Sequence, residues 1–240
     1  MEIPTSFVEK VRFVRVIFTN VEREYDVLLH LMTLGLDWTW RKRLLSKVQF
    51  SHARRMLDLA CGTGLVTFDL SNSAKGHTTV VGLDPSRSML QAVIRKKRIS
   101  GRENSAEFVR ATGEFLPFRN RTFEYVTVGL ALRNFGDRSA VFRESSRVLV
   151  SHGWFLSVDF VFPEGPFLRR LYLFHIFHVL PALGRLVSTS WHRTLAYLAK
   201  SIKMSSPPEE IRRVLLACGF RRACFEKITL GIVALVAGEK

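Results

Sequence analysis

The sequence predicts an α/β protein built on a doubly wound, Rossmann-like sheet, and three observations predict it. From residue 54 onward, short apolar runs ending in Asp or Gly alternate with helical stretches, the pattern of βαβ units and a parallel sheet. The run Leu57-Asp58-Leu59-Ala60-Cys61-Gly62-Thr63-Gly64 passes from an apolar strand straight into a glycine turn. A second apolar run ends at Asp84, twenty positions after Gly64, in step with that turn.

Taken in order, residues 1–50 read as helical, with Val11, Val14, Ile17, Phe18 and Val21 at helical spacing and the pattern repeated over 38–48. Strands are expected at 56–60, 79–83, 107–110, 123–129 and 154–160, with crossover helices at 65–71, 88–99 and 139–149 on both faces of the sheet. Residues 221–228 and 232–237, joined by a turn at 229–231, read as an antiparallel hairpin, which makes seven strands and puts an antiparallel strand at the C-terminal edge. After the fifth strand, 165–187 is apolar nearly all round but interrupted by His175, His178, Pro181 and arginines, so it reads as a buried helix, a lid or an interfacial segment rather than a membrane span. Ser205-Ser206-Pro207-Pro208 links it to a helix beginning at Glu209. One domain over 1–240 is therefore expected, divided into an N-terminal helical cap (1–50), a cofactor-binding core (51–162), a helical insertion or substrate lid (163–208) and a C-terminal helix with hairpin (209–240).

With 47% hydrophobic and 24% charged residues the chain has the balance of a globular domain, neither disordered nor a disulfide scaffold. Cys61, Cys218 and Cys224 have no metal-ligand companions at useful spacing, so no metal is expected, and with no signal-peptide pattern at the N-terminus they suit a reducing cytoplasm. The 36 Lys and Arg against 21 Asp and Glu give a formal charge of +15, which suits an anionic partner such as a lipid surface. Nucleic acid is the weaker candidate, because the charges do not interleave with aromatics and no RNA-binding module is visible.

The glycine turn and Asp84 point to a nucleoside-containing cofactor: Gly62 and Gly64 let backbone approach it, and Asp84 can accept both ribose hydroxyls. A nicotinamide dinucleotide would need a third glycine, but Leu65, Val66 and Thr67 follow Gly64, so a cofactor without a pyrophosphate fits better. S-adenosyl-L-methionine is one, with Asp58 the natural partner for its cationic end. Thr112-Gly113-Glu114 after the third strand is expected beside the adenine, and Gly129 to Asn134 after the fourth lies at the sheet's carboxyl rim, where open α/β proteins bind ligands. Arg133 there either faces substrate or is tied to a structural carboxylate. Asp159 on the same rim is either an active-site acid or a cap.

Together these segments resemble the ubiquinone/menaquinone biosynthesis C-methyltransferase family, a class I S-adenosylmethionine-dependent methyltransferase group, over nearly the whole chain. The resemblance is carried by Tyr25-Asp26, Leu31 to Gly35, Trp40-Arg41, Leu57 to Gly64, Gly82-Leu83-Asp84 with Met89-Leu90, Glu114 with Leu116-Pro117-Phe118, Leu132-Arg133-Asn134, Leu180 to Gly184, Tyr197 to Ile202 and Gly231 to Leu235. It implies methyl transfer to a ring carbon of a reduced, prenylated quinone precursor (demethylmenaquinol or ubiquinol-precursor type) by a cytoplasmic enzyme at the inner face of the membrane; a homodimer is compatible with it. It also implies a cofactor set of Asp58, Ala60, Gly62, Gly64, Asp84, Met89, Thr112, Gly113, Glu114 and Gly129, and a substrate-side set of Arg133, Asn134 and Tyr25, Arg133 stabilising a phenolate. The chain departs from the family pattern at Leu29 (usually Asn), at Thr112 (usually Asp or Asn) and at Trp191-His192-Arg193-Thr194-Leu195 (usually with an Asp and a Tyr), where His192 or Arg193 is the expected replacement contact. Two alternatives stay open: a methyltransferase acting on another lipid, a small molecule or RNA, and a membrane-surface protein that keeps the fold without catalysis.

Overall fold

The computed structural model describes residues 3–4, 6–19, 21–74, 78–99 and 106–240. Positions 1, 2, 5 and 20 of the N-terminal helical reading lie outside them. Helices α1 (Phe7–Thr19), α2 (Tyr25–Met32) and α3 (Asp37–Leu45) precede the sheet. The core then runs β1 (Arg55–Leu59), α4 (Leu65–Ser73), β2 (Thr79–Leu83), α5 (Arg87–Ile99), β3 (Glu107–Val109), β4 (Phe123–Gly129), a 3₁₀ turn (Leu132–Asn134), α6 (Arg138–Val148) and β5 (Leu149–Phe160). The insertion is α7 (Pro166–Phe174), a π-helical turn (His175–Val179), α8 (Leu180–Val187) and α9 (Thr189–Lys203), and the chain closes with α10 (Pro208–Ala217), β6 (Arg222–Ile228) and β7 (Val233–Glu239).

The strands form one seven-stranded sheet in the order β3-β2-β1-β4-β5-β7-β6. β1 to β5 pair in parallel, and β7 pairs antiparallel with both β5 and β6. The C-terminal hairpin is thus the sheet's edge, with the antiparallel strand one place in and β6 outermost. β7 reads Val233-Ala234-Leu235-Val236-Ala237-Gly238 and is buried almost throughout, whereas β6 carries Arg222, Glu226 and Lys227 and suits a half-solvated border.

The order reverses between β1 and β4, so their carboxyl ends open a crevice at the switch point where α/β sheets bind ligands. One face of the sheet packs against α1–α3 and α7–α9, and the other against α6 and α10 through residues such as Phe142, Phe155, Leu215 and Phe220. β5 begins earlier than its sequence suggests: Leu149 leaves the helical region (φ −69, ψ 141) and pairs with Phe123, and the strand passes through His152 at φ +62 and Gly153 before its apolar run. No helix among the described residues is long and apolar enough to cross a membrane.

Candidate active site

The glycine turn is shaped by backbone demands at three alternate positions. Ala60 (φ +52), Gly62 (φ +54) and Gly64 (φ +81) all adopt left-handed conformations, which cost an L residue strain and cost glycine none. At Gly64 the need is also steric: a Cβ there would stand 2.5 Å from Val93 Cγ2 and 3.1 Å from Phe68 Cε2. At Gly62 a Cβ would meet nothing within 4 Å, because that side of the turn opens into a cleft. Gly64 lies behind the turn and does not line the cleft; it sets the start of α4, whose Phe68 N–H bonds back to its carbonyl at 2.8 Å.

Asp84, at the end of β2, accepts the Gly62 N–H at 2.9 Å on one carboxylate oxygen and the Ser86 N–H at 2.8 Å on the other. It is buried, and burial pushes its carboxyl up to about 6 against those two hydrogen bonds. Each oxygen keeps a further lone pair, so the group fits a ribose diol. Asp58 sits one step before the turn, holding the hydroxyls of Thr67 (2.6 Å) and Thr127 (2.9 Å), and burial pushes it up to about 7. A cation brought into the cleft would favour its charged form.

The cleft encloses about 1100 Å³ counted to its open mouth. Asp58, Ala60, Gly62, Asp84, Met89, Thr112, Gly113, Glu114 and Gly129 line it, so the structure brings together every expected cofactor-side residue except Gly64. Glu114 is buried, accepts the Gly136 N–H at 3.0 Å, and has its carboxyl raised by burial. Its loop is fastened from below: Glu144 on α6 accepts the Leu116 N–H at 2.8 Å, while Arg147 donates to the Leu116 carbonyl at 3.0 Å and the Phe118 carbonyl at 2.8 Å. Nothing in the spacing of α6 marks its Glu144 and Arg147 for that task.

The opposite wall is apolar: Val11, Val14 and Phe18 from α1, Leu29 from α2, and Leu130, Ala131 and Phe135 from the loop after β4. Tyr25 and Asn134 line the cleft as expected. The Tyr25 ring stands edge-on to Phe18 with centroids 5.6 Å apart, and burial pushes its phenol up to about 12, so it stays a neutral donor. Asn134 accepts the Tyr197 hydroxyl at 2.8 Å, so a fully buried α9 residue fixes its orientation. Asp26 points elsewhere, accepting Thr63 Oγ1 at 2.5 Å and pairing with Lys96, which fastens α2 to the glycine turn. Lys10 fastens α1 in a similar way, donating to the Phe135 carbonyl at 2.8 Å.

Arg133 departs from the substrate-contact reading. Its guanidinium does not line the cleft; it pairs with Asp159 and donates to the Leu130 carbonyl (2.6 Å) and Ser201 Oγ (3.2 Å), lying 5.1 Å from the Phe160 ring centroid. Asp159 also accepts the Arg133 N–H at 3.0 Å. The alternative of an arginine tied to a structural carboxylate is the one the geometry realises, and Asp159 is its partner rather than a free acid. His192 likewise sits 2.9 Å from the Pro181 carbonyl, Arg193 is exposed, and neither lines the cleft. The arginine that does line it without an ion pair among the described residues is Arg15, on α1, which spacing alone marks only as part of a helix.

Two kinds of known protein bear on this arrangement. The ubiquinone/menaquinone biosynthesis C-methyltransferase UbiE of Xylella fastidiosa strain M23 is 35% identical over 234 residues, 97% of this chain and 91% of that protein. The protein of the same name from Marinomonas sp. strain MWYL1 is 34% identical over 239 residues, covering 100% and 94%. Among solved structures, a SAM-dependent methyltransferase of Thermotoga maritima superposes with a TM-score of 0.65 at 16% identity, over 93% of this chain and 98% of that one. The [4+2]-cyclase SpnF also reaches 0.65, at 13% identity over 100% and 98%, so the fold by itself does not fix the reaction. Residues 6–240 match the model of the ubiE/COQ5 methyltransferase family. With its glycine turn, paired carboxylates and nearly full-length kinship in agreement, the chain belongs to the ubiE/COQ5 methyltransferase family.

Proposed function

We propose that this methyltransferase transfers the methyl group of S-adenosylmethionine to a ring carbon of a reduced, prenylated quinone precursor. One observation carries the reading: a single cleft joins a polar half built for a nucleoside, with Asp84, Asp58 and Glu114, to an apolar half walled by α1 and the loop after β4. When bound, S-adenosylmethionine supplies an electrophilic methyl on a cationic sulfur. The chain's own part is to hold that group with its ribose on Asp84 and its charged end near Asp58, and to exclude water with Val11, Val14, Phe18 and Leu29. Loss of a hydroquinone proton pushes electron density onto the neighbouring ring carbon, which forms the new bond to methyl and then sheds its own proton. Arg15, an exposed residue at the border of the cleft, is among the described residues the unpaired cation its lining offers to the phenolate, and Asn134, oriented by Tyr197, is a neutral contact in the same cleft.

The test is transfer of labelled methyl to a panel of chemically reduced prenylated naphthoquinones and benzoquinones in detergent, with cofactor binding followed in parallel. Methylation of one class, with turnover lowered in Arg15→Gln and cofactor affinity kept, is the expected result. Cofactor binding without transfer to any member would sink the quinone reading. A second reading, another apolar acceptor in the same cleft, is favoured by Leu29, an apolar side chain on the wall where the family pattern has a polar one.

A further inference from the structure

We propose that the outer face of the α7–α8 helix is a docking surface for an anionic lipid bilayer. α7, the π-helical turn and α8 run without a break from Pro166 to Val187, about 33 Å of helix lying against the body of the protein. Its inner side is buried at Tyr172, Ile176, Leu180 and Gly184, and a Cβ on Gly184 would fall 2.9 Å from the backbone of His192 on α9. Its outer side exposes Phe167 (81%), Leu171 (55%), Phe174 (57%), Leu183 (52%) and Leu186 (84%).

These five side chains form one stripe only because of the π-helical turn. Phe174 and Leu186 are twelve residues apart, which in an unbroken α-helix would set them about 120° apart around the axis. A π turn takes up one extra residue and gives back about 100°, so Leu183 and Leu186 return to the line of Phe167, Leu171 and Phe174. The turn ends two residues before Pro181, which has no N–H to give and crowds the carbonyl four residues back. A continuous exposed apolar stripe on a helix already packed on its other side is a surface awaiting contact.

Charge selects the partner. From residue 165 to residue 208 there is no Asp or Glu, while Arg169, Arg170, Arg185, Arg193, Lys200 and Lys203 lie within it. Arg170 and Lys203 flank a shallow groove over Phe174 and Phe177, with the Lys203 ammonium 5.9 Å from the Phe177 ring. The exposed Glu164, directly before the helix, is already paired with Lys227, so apolar side chains flanked by cations match the boundary between acyl chains and anionic headgroups. The purpose of the surface rests on the lipid-acceptor reading above, since a prenylated acceptor resides in the bilayer; the observations themselves do not depend on that reading.

The full-length protein is to be floated with vesicles of phosphatidylcholine alone and of phosphatidylcholine mixed with phosphatidylglycerol, together with L171E/L186E and R170Q/R185Q. Binding to the mixed vesicles, weakened by salt and absent with phosphatidylcholine alone, is expected. The arginine pair should lower it by about twenty-five-fold, each surface cation contributing about fivefold, and the leucine pair should abolish it. Both variants change exposed side chains, so melting temperature and methyl transfer to a water-soluble short-chain quinol should match the parent protein. No binding to the mixed vesicles would overturn the proposal, as would full binding by both variants. A concentration-dependent dimer in light scattering that L171E/L186E dissolves and vesicles fail to compete would also overturn it, assigning the stripe to a second copy. Flotation needs no acceptor, so intact lipid binding beside failed quinol methylation would remove the acceptor and leave the surface standing.

Discussion

Asp84→Asn separates what the carboxylate does for the fold from the cofactor contact proposed for it. The wild-type group answers the Gly62 and Ser86 N–H groups, one on each oxygen, and burial raises it to about 6. Because that lies above the free value of 3.8, protonation favours the fold. The group's contribution to stability is present in full below pH 3.8 and is lost as pH rises through about 6. Cofactor binding runs the other way: a ribose diol needs an acceptor on both oxygens, so affinity is full above about pH 6 and falls about tenfold per pH unit below it. Asp58, raised to about 7, adds a second limb of the same sense if the cofactor's cation binds its ionised form. An asparagine accepts through its carbonyl oxygen alone, and its NH₂ can only donate. The substitution therefore leaves one of the two backbone N–H groups unanswered and one ribose hydroxyl without its acceptor. Losing charge-assisted bonds worth about 1.5–3 kcal/mol each weakens binding about a hundredfold or more at pH 8. Calorimetric titration with S-adenosylhomocysteine from pH 5 to pH 8 should show that weakening and a shallower acid limb, with only the Asp58 part remaining. An affinity within about threefold of wild type at pH 8, or an unchanged limb, would refute the ribose assignment.

Three further outcomes follow from the geometry. Gly64→Ala forces a Cβ to 2.5 Å from Val93 Cγ2 at a φ of +81, and should cost about 2–4 kcal/mol in urea unfolding. Arg133→Ala leaves Asp159 buried and unpaired and should destabilise by about 3–5 kcal/mol, while adding Asp159→Ala recovers part of the loss; strictly additive costs would show that the pair is not coupled. Tyr172 is buried with a hydroxyl that meets no partner among the described residues, so Tyr172→Phe should leave thermal stability unchanged or raise it by about 1 kcal/mol; a clear loss would reveal a contact the hydroxyl makes in solution.

The part of the site legible in the sequence is the part made by local chain geometry. A strand that ends in glycines and a second that ends in Asp bring Asp58, Gly62 and Asp84 together because β1 and β2 are hydrogen-bonded neighbours, with Asp58 opposite Gly82. The loop carrying Thr112 to Glu114 follows from the same logic one strand further out. What the sequence hides is whatever depends on distant segments meeting. The Tyr197 hydroxyl reaches Asn134 from sixty-three positions away, and Arg133 finds Ser201 across sixty-eight. Apolar spacing marks α1 as a helix but not as the wall that closes the cleft, so it gives Arg15 no distinction from its neighbours. The hairpin is readable from its turn, yet β7 takes the inner place because its side chains are nearly all apolar, a burial preference rather than a local shape.

Arg133 shows how a motif residue can matter without touching the acceptor. Stability alone is a weak reason for a buried ion pair, since apolar side chains of similar volume often serve as well. An apolar pair, however, would leave the Leu130 carbonyl and the Arg133 and Phe160 N–H groups without the partners they now have on Arg133 and Asp159. Leu130 is held in a left-handed conformation at φ +55, which persists only where its surroundings fix it. The pair therefore ties the turn after β4 to β5 and, through Ser201, to α9, the helix that also carries Tyr197. Asn134 is the next residue on that turn and faces the cleft, so its amide is held on one side by the backbone that Arg133 locks and on the other by the Tyr197 hydroxyl. Arg133 is on this argument a positioning residue: disturbing it should lower turnover through Asn134 while the Asp58–Gly62–Asp84 half of the cleft, built on β1 and β2, keeps its grip on the cofactor.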